Sequence, residues 1–111
     1  CLPDPSFFSY CTTLLDRYRN EPRVMAITGN NFQPSMEGYS ASYYYSIYNH
    51  IWGWATWRRA WALYDADMRQ FKPDKAAAIL NRLSSDPGFK QYWLKRFAKV
   101  RDGQIDTWDY Q

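Results

Sequence analysis

Long apolar runs are missing from this 111-residue chain. No stretch approaches the roughly 18 consecutive apolar residues of a membrane span, so no membrane-crossing helix is expected. Cysteine is scarce, with only Cys1 and Cys11, which excludes a disulfide scaffold. Cys11 falls on the apolar side of an expected helix, where a buried free thiol is the natural state. Histidine is scarcer still, since His50 stands alone. With no second histidine and no cysteine nearby it makes no metal site, and a structural or surface role is expected. A Gly-rich phosphate loop, a serine elbow flanked by glycines, CxxC and HExxH are all absent, which removes the chemistries those motifs carry. A block of one charge sign is lacking too. The 14 basic and 11 acidic residues are interspersed at a net charge of +3, so nucleic acid and anionic membranes are permitted as partners without being demanded, and no nucleic-acid partner is expected. No signal peptide and no initiator methionine are visible, and a chain that begins abruptly at Cys1 reads as an excised piece.

What is present in quantity is aromatic. Aromatic residues make up 20% of the chain and hydrophobic residues 46%, a globular composition for one domain at most, with a modest core. Four of the six tryptophans fall between Trp52 and Trp61, around a single glycine. Thr56 reads as an N-cap, and Trp57, Ala60, Trp61 and Tyr64 recur at helical spacing, so a helix is expected there with Trp57 and Trp61 in the core. Gly53, between Trp52 and Trp54, marks a strand end or tight bend where something approaches the backbone closely. Two roles stand open for those flanking indoles: core packing, or the walls of a site whose rings stack on the C–H faces of a sugar.

The rest of the chain divides into helices and short runs. Asp4-Pro5 is a helix start, followed by Phe7, Phe8, Cys11, Leu14, Leu15 and Tyr18 at helical spacing. Val24 to Gly29 is short and uncharged and predicts a buried strand of a mostly parallel sheet. Asn30 and Asn31 stand at its carboxyl end, where open α/β sheets place ligands, though asparagine is also a good turn residue. Residues 32–42 read as a loop, and Tyr43 to Tyr48 favours a strand. A helix is expected from about Pro73 to Leu83 with Ala76, Ala77, Leu80 and Leu83 inward. A second Asp-Pro start at Asp86-Pro87 opens another, with Phe89, Tyr92, Trp93, Phe97 and Val100 as its apolar face and Asp102-Gly103 as its end. Its lysines and arginines read as a solvated face. Helices crowd the second half and two or three strands occupy the first, so the expectation is an α/β fold that is part of a larger sheet domain.

For chemistry there remain carboxylates, amides and rings. Asp106 and Asp109 flank Trp108 and would share one side of a helix begun at Thr107. One of them could act as general base toward a hydroxyl nucleophile; a helix-capping role is the plainer alternative.

Together, Cys1-Leu2-Pro3-Asp4-Pro5-Ser6-Phe7-Phe8-Ser9-Tyr10, Ile27-Thr28-Gly29-Asn30-Asn31, Trp52-Gly53-Trp54 and Trp108-Asp109 resemble, in that order, the second half of a GT-A type nucleotide-diphospho-sugar transferase. The likeness is to the N-acetylglucosaminyltransferase I family and its bacterial relatives. It spans nearly the whole chain, on short motifs. It implies that residues 1–111 are a single fragment, helix-rich with two or three strands, from the acceptor side of a glycosyltransferase catalytic domain. The divalent metal, Mn or Mg, would be held by an acidic cluster just before Cys1, so its ligands lie outside this chain, which itself supplies none. The implied partners are a nucleotide sugar and a carbohydrate or glycoconjugate acceptor. Asn30 and Asn31 would floor the sugar site, with Trp52, Gly53 and Trp54 as the turn beside the acceptor. Asp109, ahead of Asp106, would be the catalytic base, although the family's eukaryotic pattern has a second acid where this chain has Tyr110. A cytoplasmic bacterial enzyme, inactive as the isolated fragment, is what the resemblance implies. An exposed sheet edge would leave room for a homodimer. The alternative is a non-catalytic module that binds a carbohydrate or a protein through exposed tryptophans.

Overall fold

The computed structural model describes residues 2–35 and 37–107. The chain forms two compact units, Cys1–Leu63 and Tyr64–Gln111. The architecture mixes helices with a small two-stranded antiparallel sheet, in the order α1 (Pro5–Arg17), β1 (Ala26–Thr28), β2 (Trp54–Thr56), α2 (Arg58–Trp61), α3 (Pro73–Leu83) and α4 (Pro87–Arg101). No described helix is long and apolar enough to cross a membrane.

In the first unit, α1 begins where the sequence places it. The Asp4 carboxylate accepts the Ser6 N–H at 2.9 Å, and Pro5 supplies a helical φ without needing a partner for an N–H. Cys11 and Leu14 of α1 and Ile27 of β1 form the buried centre, ringed by Phe7, Tyr10, Leu15, Tyr18, Val24, Tyr43, Ala55 and Trp57. Phe8, expected on the apolar face, is 59% exposed. The sheet is antiparallel, with Ala26 opposite Thr56, Ile27 opposite Ala55 and Thr28 opposite Trp54. The expected parallel strand is therefore corrected. Only Ile27 of β1 is buried while Ala26 and Thr28 are half-exposed; the lack of charge there reflects one covered face and small residues, not burial on both sides.

Two further expectations change. Tyr43 to Tyr48 is not a strand. Its tyrosines make side-chain bonds instead: the hydroxyls of Tyr43 and Tyr45 each lie 2.6 Å from that of Tyr18, and Tyr44 O–H donates to Asn31 Oδ1 at 3.2 Å. Tertiary pairing has overridden strand propensity. Thr56 is not an N-cap but the last residue of β2, with its hydroxyl donating to the Met25 carbonyl at 2.7 Å. Trp57 is the residue before α2, which ends at Trp61 short of Tyr64. The Trp57 indole N–H donates to the Leu15 carbonyl at 3.0 Å, which ties the end of β2 to α1.

Arg59 completes that tie. Its guanidinium lies 4.4 Å from the Trp57 ring centroid and donates to the carbonyls of Tyr18, Arg19, Glu21 and Val24 at 2.9–3.1 Å. The first two of these are carbonyls just past the C-terminal end of α1, where a cation is favoured and acceptors lack helical partners.

The second unit is a helical hairpin. α3 and α4 occupy the expected spans, joined by residues 84–86, and Asp86 accepts the Gly88 N–H at 2.8 Å to start α4. Leu80 and Val100 are buried, and the Phe71 and Trp93 rings pack on Phe97 at centroid separations of 5.9 and 5.7 Å. Leu83 and Tyr92 were expected inward, yet they are 47% and 46% exposed, because the buried stripe of a short two-helix pair is narrow. Gly103, at φ +70°, follows the Asp102 C-cap of α4 as expected.

Candidate functional site

The register of the sheet decides which residues meet. Because Thr28 pairs with Trp54, the residues leaving β1 run beside those entering β2. Gly29 N–H donates to the Gly53 carbonyl at 2.9 Å, which sets Asn30 and Asn31 next to Trp52, Gly53 and Trp54. The five residues expected to bind substrate therefore gather at one end of the sheet.

Local chemistry explains why the chain takes this path. Gly53 has φ +81°, a left-handed conformation that costs a side chain-bearing residue free energy. Gly29 is required by crowding, since a Cβ there would sit 2.6 Å from Phe7 Cδ2. Phe7 thus supports both glycines from below and seats the first turns of α1 under the site. Thr28 O–H donates to the His50 carbonyl at 2.8 Å and accepts the Asn30 N–H at 3.4 Å, which fixes the approach to the bend. The His50 ring stands edge-on to Phe32, with 4.7 Å between centroids and 73° between planes. His50 is in this way a structural neighbour of the site.

The groups offered to a ligand are amides and rings. Asn31 Oδ1 accepts from Gln33 N–H and Tyr44 O–H, which leaves the amide nitrogen as the donor this side chain can extend. Asn30 Oδ1 is buried and, among the described residues, has no hydrogen-bond partner. A buried acceptor left unmade costs about 1–3 kcal/mol, so this atom calls for a donor such as an ordered water. Trp52 is 80% exposed and Phe32 69% exposed, while Trp54 is half-buried with its ring centroid 5.9 Å from that of Trp61. Trp52 is the free platform, and Trp54 is part of the packing as well as of the rim.

Two catalytic acids were expected, Asp106 and Asp109. Asp106 is exposed in the second unit and follows α4, and Thr107 is not helical. Asp109 lies outside the described residues. Burial pushes the Cys11 thiol pKa up, away from the thiolate that a nucleophile needs. No group of three His, Cys, Asp or Glu side chains among the described residues could hold a metal ion. An open cleft of about 640 Å³ at the α3–α4 turn, lined by residues including Asn81, Ser84, Asp86 and Lys90, brings together no comparable set of rings and amides.

Sequence reasoning missed Phe7, Phe32 and Tyr44 as members of this cluster. Their partners are distant in sequence, and the one local signal was aromatic density. No protein-family model, curated protein or solved structure matches the chain.

Proposed function

We propose that this chain is the acceptor-side portion of a GT-A type glycosyltransferase and that the cluster of Asn30, Asn31, Trp52, Gly53 and Trp54 binds a sugar. The observation that supports it is the antiparallel register, which brings two motifs more than twenty residues apart onto one surface. An exposed indole beside the Asn31 amide donor suits a pyranose, which presents C–H groups on its faces and hydroxyls at its rim. In the reaction so proposed, Trp52 holds the acceptor sugar and the asparagines orient its hydroxyls. A carboxylate, Asp109 ahead of Asp106, takes the proton of the attacking hydroxyl. A divalent cation in the parent enzyme would neutralise charge on the leaving diphosphate, held by ligands expected outside this chain.

The alternative, a binding module without catalysis, shares the same surface and is favoured by the high exposure of Trp52. Incubating the 111-residue chain with a uridine-diphosphate sugar, Mn and oligosaccharide acceptors separates the parts of the proposal. The expected result is sugar-induced quenching of tryptophan fluorescence with no release of uridine diphosphate. Metal-dependent turnover would contradict the fragment assignment, and absence of any sugar response would contradict the site.

A further inference from the structure

Tyr18, the C-cap of α1, is the meeting point of three phenols. Its hydroxyl lies 2.6 Å from that of Tyr43 and 2.6 Å from that of Tyr45, which stand 25 and 27 residues further along the chain. Tyr18 carries one phenolic proton, so it donates in at most one of these contacts and accepts in the other. The three rings close a triangle, with centroids 6.3, 6.0 and 6.2 Å apart and planes at 83°, 73° and 77°. This is the edge-to-face arrangement that aromatic pairs prefer. Tyr44, between the two partners, donates instead to Asn31 Oδ1. Residues 43–45 are thus held by their side chains, outside any helix or strand.

Phenols held in this way are poised for oxidative coupling. The ortho carbons of a phenol adjoin the carbon that bears the hydroxyl, so hydroxyls in hydrogen-bond contact bring the ortho carbons of two rings close together. Tyr45 is the member that an oxidant reaches, being 70% exposed where Tyr18 and Tyr43 are half-buried. Arg17 stands over the Tyr18 and Tyr43 rings at 5.7 and 6.0 Å, and a cation on a ring face opposes removal of a bare electron from that ring. We propose that Tyr45 and Tyr18 are an oxidative cross-linking site, which a haem peroxidase with hydrogen peroxide closes into an intrachain dityrosine. Tyr45 first gives an electron to the oxidant and its hydroxyl proton to solvent. The Tyr18 O–H then passes its hydrogen atom across the short contact to the Tyr45 oxygen, so no charge develops under Arg17 and the radical moves to Tyr18. A second oxidising equivalent takes an electron and a proton from the restored Tyr45 phenol. The two radicals join at their ortho carbons, and each ortho hydrogen leaves as a proton while a proton returns to each oxygen. In sum, one C–C bond replaces two C–H bonds, both hydroxyls survive, and the two electrons and two protons lost convert one hydrogen peroxide into two waters. The bond ties residue 45 to the end of α1 and limits the unfolded chain more than the folded one.

The test treats the full 111-residue chain with a haem peroxidase and stoichiometric hydrogen peroxide. Dityrosine fluorescence gives the yield, and mass spectrometry of a proteolytic digest locates the bond. With the chain at about 10 µM, coupling within a molecule is expected to exceed coupling between molecules by about a hundredfold, because contact inside one fold corresponds to an effective concentration of about mM or above. The expected product is a monomer lighter by two hydrogens, with Tyr18–Tyr45 as its main cross-link. Tyr18→Phe keeps the ring and removes the hydroxyl, and should lower the dityrosine yield of the monomer by about fivefold or more through loss of the positioned partner. Tyr39→Phe, at another exposed tyrosine, should leave that yield within about twofold, since no such partner is lost. Unfolding the chain in urea before oxidation should erase the preference for Tyr18–Tyr45. A main cross-link between other tyrosines, coupling only between chains, an unchanged yield in Tyr18→Phe, the same preference in urea, or no dityrosine at all would each overturn the proposal.

Discussion

The two units of this chain use charge in opposite ways. Residues 24–57, which carry the candidate site, hold one formal charge, whereas residues 64–107 hold nine lysines or arginines and six aspartates. In the second unit the cations decorate helices: Lys95 and Lys99 of α4 are exposed, and Arg96 rests over the Tyr92 ring at 5.1 Å. In the first unit Arg59 is half-buried and satisfies four carbonyls. A cation is therefore solvation in one unit and architecture in the other, and the architectural one holds the end of the sheet opposite the candidate site.

Removing a cation from each unit is the strongest way to break this comparison. Arg59→Ala should destabilise the first unit by about 2–4 kcal/mol, because several charge-assisted hydrogen bonds are lost and carbonyls are left poorly satisfied. Arg59→Lys should recover less than half of that loss, since an ammonium lacks the planar fork. Lys95→Ala in α4 should stay within about 0.5 kcal/mol. Chemical denaturation of the three variants measures the contrast, and equal losses at Arg59 and Lys95 would end it.

Next in size is Gly29→Ala, where the new methyl would press on the Phe7 ring from 2.6 Å. A loss of about 1–3 kcal/mol is expected from overpacking. In a Phe7→Leu background the same substitution should cost less, and a double-mutant cycle reads the coupling directly.

A pH titration sharpens the comparison further. The Arg23 guanidinium and backbone N–H hold the Glu21 carboxyl down at about 2, against an ordinary value of 4.5. A group whose pKa is depressed on folding contributes stability that is fully present above its unfolded value and lost as pH falls toward its folded one. The first unit should therefore weaken between pH 4.5 and about 2, and Glu21→Gln should flatten that slope. Asp4, whose pKa is also lowered, acts in the same direction at the other end of α1.

The smallest expected effect on stability is that of Trp52→Ala. With the ring 80% exposed, the change should remain within about 0.5 kcal/mol while sugar binding falls. A large loss of stability would make Trp52 a packing residue.

Legibility in the sequence followed locality. The starts of α1 and α4 were readable because Asp-Pro caps act within three residues. The span of α3 was readable from periodicity and from Pro73. The region from Tyr43 to Trp61 was not, because its conformation depends on Tyr18, Leu15 and Asn31, at sequence separations of 13 to 42 residues. The same distance hid Phe7 and Tyr44 from the site. The pairing of Asn30 and Asn31 with Trp52 to Trp54 was proposed only through a family resemblance; the backbone bond between Gly29 and Gly53 is what brings them together.

The most direct test of the sugar site is amide and indole chemical-shift mapping of the chain as N,N′-diacetylchitobiose, mannobiose or lactose is added. Shifts concentrated on the Trp52 and Trp54 indoles and on the Asn30 and Asn31 amides are the predicted result. Shifts confined to Tyr92, Trp93 and the α4 amides, or no shifts with any of the three sugars, would contradict the account.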